Sequence, residues 1–362
     1  MSLQQLGWNL YFQTIWEEYA ELEYTPARVV SQQRGLWRVA GDFPECWAAP
    51  SGAMRATAEE GGDWPAVGDW VGVETFAGDG ERAMIHAVLP RRSHFARKVA
   101  GRRVQEQVLA ANVDTALLVM ALDGDFNLRR LERYLAQGWD CGARPVIVLN
   151  KADVCEDVDA RVADVERVAM GVSGFALSAR TGEGVDALGC VLKRGETIVL
   201  LGSSGAGKST LINRWLGRDA QRVRGVREKD DRGRHTTTSR ELFVLPGGAV
   251  MIDTPGLREV QLWDAAQGVA QAFTDINDLS ARCRFRDCGH TSEPGCAVQA
   301  AIADGELDAH RLENRRKLER EQEFLRRKMD PEGAHVEKEK NKVLHRRVRQ
   351  MYEQRDKDGG RR

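Results

Sequence analysis

Between Pro26 and Leu89 the apolar residues come in short β-prone runs, at 28–30, 36–39, 70–75 and 84–89. Turn signals fill the gaps: Gly41-Asp42, Gly61-Gly62-Asp63 and Gly78-Asp79-Gly80. Short strands at such spacing predict a small all-β barrel. From Val113 onward the texture changes. Continuous apolar runs at 117–122, 145–149, 197–201 and 250–252 alternate with helical stretches at 128–139 and 158–170. A strand covered on both faces shows no polar side, so this alternation predicts a parallel α/β sheet. After Leu279 a Cys/His-rich loop leads into a charged segment with helices expected at 297–303, 308–329 and 335–355. No internal repeat is visible.

These textures divide the chain of 362 residues into five parts. They are an N-terminal arm (1–24), a barrel with a basic connector (25–104), an α/β domain (105–276), a mostly helical Cys/His-bearing domain (277–330) and a basic helical tail (331–362). The arm, with Trp8, Tyr11, Phe12 and Trp16, reads equally as a flexible segment or as a helix docked on the barrel. With 42% hydrophobic and 30% charged residues the chain resembles soluble globular proteins, which excludes a disordered or membrane-embedded class. No apolar run approaches the roughly 20 residues that span a bilayer, and the first residues lack a signal-peptide profile. A cytoplasmic monomer without a membrane partner is expected.

The net charge of −1 averages over opposite ends. Residues 1–90 hold five arginines against thirteen carboxylates, whereas residues 311–362 hold eighteen cations against eleven. Between them Arg91, Arg92, Arg97, Lys98, Arg102 and Arg103 form a basic stretch that reads as a linker. The seven cysteines, in a chain without an export signal, argue for metal ligation wherever they cluster and against a disulfide framework.

Gly202-Ser203-Ser204-Gly205-Ala206-Gly207-Lys208-Ser209-Thr210 follows the 197–201 strand and opens a helix, which is the context of a phosphate-binding loop. Its glycines let backbone N–H groups point inward at phosphates, Lys208 neutralises the β and γ phosphates, and the Ser209 hydroxyl reaches Mg²⁺. Asn150-Lys151-Ala152-Asp153 ends the 145–149 strand, where open α/β sheets bind ligands. The Asp153 carboxylate can accept two hydrogen bonds from the N–H edge of guanine, a donor pair adenine lacks, while the Lys151 stem covers the base face. Ser178-Ala179-Arg180 resembles a loop whose backbone N–H meets guanine O6. Asp253-Thr254-Pro255-Gly256 reads as the turn that senses Mg²⁺ through a bound water and the γ-phosphate through the Gly256 N–H.

Together these motifs resemble the translation-factor-related GTPases, with one difference of order. In those proteins the phosphate loop comes first; here Asn150 and Asp153 precede Gly202. A circular permutation preserves such a site, because strand ends assemble it in space. Separately, Cys283, Cys288, His290 and Cys296 give C-x4-C-x-H-x5-C, a donor set suited to one tetrahedral structural Zn²⁺ with no open position for catalysis.

At this point the resemblance is to the ribosome small-subunit-dependent GTPases, a circularly permuted family with an N-terminal OB-fold and a C-terminal zinc domain. Val67-Gly68-Asp69-Trp70-Val71, Leu89-Pro90-Arg91-Arg92-Ser93 and Gly233-Arg234-His235-Thr236-Thr237-Thr238 carry it together with the permuted order and the zinc spacing, over about residues 25–330. The resemblance implies a late-acting factor that binds the small ribosomal subunit and its rRNA with GTP and leaves after hydrolysis to GDP. It also implies a water-positioning role for His235, since Leu257 stands where many GTPases place a glutamine, and a Mg²⁺ ligand among the threonines, taken as Thr237. RNA contact is expected from the basic 91–103 stretch and from the tail, because the acidic barrel departs from the usual footprint and its tryptophans fit a core role better. Competing readings are a guanine-nucleotide-gated RNA-binding module with incidental hydrolysis, and an ATPase, which Asp153 opposes.

Overall fold

The computed structural model describes residues 1–19, 22–33, 35–58, 61–76, 82–99, 105–217, 240–254 and 266–329. The chain opens with helix α1 (Leu10–Glu17), capped by Asn9, whose side chain accepts from the Tyr11 and Phe12 N–H groups. Strands β1 (Thr25–Gln33), β2 (Leu36–Ala40) and β3 (Cys46–Pro50), helix α2 (Gly52–Thr57), and strands β4 (Trp70–Thr75) and β5 (Arg82–Val88) follow. They close a five-stranded barrel in the order β1-β2-β3-β5-β4, with β4 returning to β1 and β3 parallel to β5. This is an OB-fold. An irregularity at Val29/Ser31 lies between the part of β1 that pairs with β4 (25–28) and the part beyond it (31–33), where a bulge bends a strand.

The aromatic residues explain why the arm is not loose. Trp70 is fully buried, with the Trp8 ring edge-on at 4.8 Å and Phe12 at 5.6 Å, so α1 docks on the barrel wall. Trp37, also buried, stacks on Trp64 and donates to the Pro65 carbonyl at 2.6 Å. Both Trp37 and Trp70 are therefore core residues and not stacking platforms.

Strands β6 (His94–Val99) and β7 (Gln105–Ala111) form an antiparallel hairpin. This corrects the reading of 91–103 as a linker. Arg91 is no surface cation either: it holds the buried Asp69 carboxylate at 2.8 and 2.7 Å and donates to the Gly62 and Trp64 carbonyls. A guanidinium with its donors spent inside the barrel has little left for RNA, so Arg91 leaves the expected footprint.

The α/β part consists of β8 (Thr115–Ala121), α3 (Leu128–Asp140), β9 (Arg144–Asn150), α4 (Val158–Val168), β10 (Gly174–Ala176), α5 (Val185–Val191), β11 (Thr197–Leu201), α6 (Lys208–Leu216), β12 (Arg240–Val244) and β13 (Val250–Asp253). Its strands lie in the order β10-β9-β8-β11-β13-β12, parallel except for β12. β8 and β11 are buried at every position, as their unbroken apolar sequences require. β12 also pairs with β1, so barrel and α/β sheet run on as one eleven-stranded sheet.

Arg28 of β1 pins the junction. Its buried guanidinium donates to the Leu6 and Gly68 carbonyls and to Thr197 Oγ1 at 2.8 Å, joining arm, barrel and β11. Burial pushes its pKa down to about 10, against the pull of Asp114 and Asp69.

Helices α7 (Ala266–Ala272), α8 (Thr274–Ser280), α9 (Ala297–Ala303) and α10 (Ala309–Met329) complete the described chain. Arg311 of α10 fastens this unit to α3. It contacts Glu132 at 2.6 Å and both Asp275 oxygens at 2.7 and 3.0 Å, donates to the Ala272 carbonyl, and lies over Phe273. Among the described residues no helix is long and apolar enough to cross a membrane. The expected tail helix at 335–355 lies outside the described residues.

Candidate nucleotide site and metal centre

The carboxyl ends of β8, β9, β10, β11 and β13 carry the motif residues, at the edge where α/β sheets take ligands. Gly202 to Thr210 leave β11 and enter α6 at Lys208. Lys208 Nζ curls back onto the Gly202 and Ser203 carbonyls at 2.7 and 2.6 Å, which holds its ammonium over the loop. Ser209 and Thr210 sit in the first helical turn, beside the N–H groups the helix leaves unpaired.

Asn150 is the hub. It is 2% exposed, donates from Nδ2 to the Ala206 carbonyl at 2.8 Å and accepts the Ala179 N–H on Oδ1 at 2.9 Å. Donor and acceptor on one amide thus join three loops, and no hydrophobic residue could do the same. Gly207 makes the approach possible: with φ +89°, a Cβ there would lie 2.1 Å from Asn150 Nδ2.

Lys151 adopts a left-handed backbone (φ 68°) and its Nζ meets Asp123 at 2.7 Å. Asp153 accepts from the Ser178 hydroxyl and from Arg180 Nε and Nη2 at 3.0 and 2.5 Å. Those hydrogen bonds, the Ser178 hydroxyl first, hold the Asp153 carboxyl below its ordinary pKa. Asp123 is likewise depressed, chiefly by the Lys151 ammonium. Both carboxylates are therefore ionised at neutral pH, ready to accept N–H donors. Ser178 is buried and ties its own loop through the Thr181 N–H.

Asp253 ends β13, the strand beside β11. Gly256, His235 and Thr237 lie outside the described residues.

Sequence reasoning missed the 122–127 loop after β8. Besides Asp123 on Lys151, Asp125 accepts from the Ser203 hydroxyl and pairs with Arg130 at 2.8 Å, bracing the phosphate-type loop from the side. Arg214, on α6, bonds the Ala179 and Arg180 carbonyls. No motif marks these residues; the placement of Asp123 and Asp125 just beyond an apolar strand was the available signal.

Cys283, Cys288, His290 and Cys296 place their ligand atoms within 4.8 Å of one another. His290 Nδ1 lies 3.6 and 3.5 Å from the Cys283 and Cys296 sulfurs, while Nε2 lies 3.0 Å from Ser280 Oγ. Ser280 Oγ donates to the Ile276 carbonyl, so it accepts the Nε2–H. That fixes the neutral tautomer with a lone pair on Nδ1, the form a metal needs. Glu293 caps the loop by accepting the Gly289, Thr291 and Ser292 N–H groups, and hydrogen bonds from its own N–H and from those of Thr291 and Gly289 pull its pKa down to about 2. The cluster can hold a metal ion, and three sulfurs with one imidazole suit zinc.

Comparison with known proteins agrees with this arrangement. The family model for the RsgA GTPase matches residues 88–263. The small ribosomal subunit biogenesis GTPase RsgA of Opitutus terrae is 45% identical over 353 residues, 95% of this chain and 96% of that one. YjeQ from Thermotoga maritima superposes with a TM-score of 0.61 at 26% identity, covering 82% of this chain and 98% of that one. YloQ, a circularly permuted GTPase, shares the fold with a TM-score of 0.59 at 21% identity, over 83% of this chain and 96% of that one.

Proposed function

Because the chain belongs to the RsgA GTPase family, we propose that it binds the small ribosomal subunit and its rRNA with GTP, assists a late maturation step in the cytoplasm, and leaves after hydrolysis that the subunit stimulates. The chain is a GTP hydrolase. The observation that carries the nucleotide reading is the Asn150 amide, which locks the phosphate loop to the base loop in one frame despite the permuted order.

In this reading the backbone N–H groups of Gly202 to Ser209 and the Lys208 ammonium hold the phosphates and offset the charge that grows on them during transfer. Asp153 accepts two bonds from the guanine edge and the Lys151 stem covers the ring. The oxygen donors Ser209, Thr237 and Asp253 would hold Mg²⁺, directly or through water, and the ion would offset the charge that grows on the phosphates. His235 accepts a hydrogen bond from the attacking water, and the Gly256 N–H meets the γ-phosphate. Zn²⁺ held by Cys283, Cys288, His290 and Cys296 would be structural, since four protein ligands suffice for a tetrahedral site.

The test is GTP turnover by the purified full chain with and without small ribosomal subunits, with large subunits as control. Large stimulation by small subunits alone is expected. Guanine-nucleotide binding without stimulation would remove the ribosome from the reading.

A further inference from the structure

Arg214 belongs to none of the nucleotide motifs, yet it connects two of them. It lies on α6, the helix whose first turn carries Lys208 and Ser209. From there its Nε donates to the Ala179 carbonyl at 2.7 Å and its Nη2 to the Arg180 carbonyl at 2.6 Å. Two successive carbonyls of the base loop are thus gripped by one rigid fork, a geometry lysine cannot reproduce. Gly182 closes the same loop against the guanidinium: with φ +99°, a Cβ there would lie 2.5 Å from Arg214 Nη1. On the opposite side of the loop the Ala179 N–H goes to Asn150, and the Arg180 and Ser178 side chains reach Asp153.

We propose that Arg214 is a positioning residue for base recognition. Resting on the guanine-nucleotide reading, it sets the separation between the loop that reads the base and the helix that holds the phosphates. The Ala179 carbonyl shares its peptide with the Arg180 N–H, so the fork fixes the direction of that N–H, while the N–H of the next peptide, on Thr181, goes to Ser178 Oγ. Its effect therefore falls on the base and not on the phosphates, which Lys208 and the α6 N-terminus hold without it.

The experiment measures the affinity of the full-length protein for a fluorescent GDP, for inorganic tripolyphosphate by competition, and for ADP, in wild type, Arg214→Ala and Arg214→Lys. Arg214→Ala is expected to weaken GDP about tenfold through faster dissociation, the scale of losing two charge-assisted bonds, while tripolyphosphate affinity stays unchanged. Arg214→Lys, which keeps the charge and can reach one carbonyl, falls between. Equal losses for GDP and tripolyphosphate would overturn the proposal, because Arg214 would then only support α6. Unaltered GDP affinity in both variants would overturn it as well. Wild-type protein that binds ADP as tightly as GDP would instead overturn the guanine reading on which the proposal rests.

Discussion

Glu241 stands opposite Ser31 across the antiparallel pair of β12 and β1, so the strand that follows the His235 segment is hydrogen-bonded into the barrel. Arg240 reinforces the seam, donating to Gln32 Oε1 and to the Val108 carbonyl of the hairpin. Desolvation, with Arg97 nearby, lowers its pKa. Arg240→Ala is expected to cost about 1–2 kcal/mol in urea unfolding and to speed amide exchange in β1 and β12. Unchanged exchange in both strands would show that the seam does not depend on this side chain.

Arg28 has a larger task. Arg28→Met would fill similar space but leave the Leu6 carbonyl and Thr197 Oγ1 buried without their donor. A loss of about 3 kcal/mol is expected, with α1 released from Trp70. Unfolding followed by tryptophan fluorescence would report both, and a variant with native stability would contradict the role.

How much of this was legible beforehand follows from what each signal encodes. The 197–201 and 70–75 strands match the observed β11 and β4, because their unbroken or alternating apolar residues have one solution in a buried sheet. β3 escaped, since Cys46-Trp47-Ala48-Ala49-Pro50 contains small residues and a proline and gains its pairing from β2 and β5. The β6–β7 hairpin escaped for a related reason: a dense run of cations reads as solvated chain, although Phe95 of β6 and Val108 to Ala111 of β7 are buried. In the site, Lys208 and Asn150 were readable because their chemistry needs a motif. Asp125 and Arg214 act through tertiary hydrogen bonds that no spacing in the chain announces.

Ser280 orients His290 toward the metal cluster through Nε2. Ser280→Ala is expected to weaken zinc binding about 10- to 100-fold, the usual effect of losing an outer partner, without removing a ligand. Competition against a chromophoric chelator measures it. Metal analysis of the wild type should return one zinc per chain, and a chain that folds identically with no bound metal would rule out the structural site.

The ionised state of Asp123 and Asp153 sets the pH response. Both folded pKa values lie below the ordinary value, through the Lys151 and Ser178 bonds respectively. Their contribution to stability is therefore complete above the unfolded value of about 3.9 and is lost as pH falls through the lower folded values. The ratio of GDP to inosine diphosphate affinity, in which the phosphate titration at about pH 6 cancels, should stay flat between about pH 7.5 and about pH 5, since neither carboxylate titrates there. A midpoint of that ratio inside the window would contradict the assignment of these two groups.

In the proposed site Asp153 reads guanine despite the permuted order of the chain. The direct measurement titrates wild type and Asp153→Asn with GDP and with xanthosine diphosphate. Guanine offers two donors to a carboxylate; xanthine offers one donor and one acceptor, which suit an amide. Wild type should prefer GDP and Asp153→Asn should prefer the xanthine nucleotide, a swing on the order of 100-fold or more. If the substitution leaves the preference for GDP intact, Asp153 does not read the base and the account of this site fails.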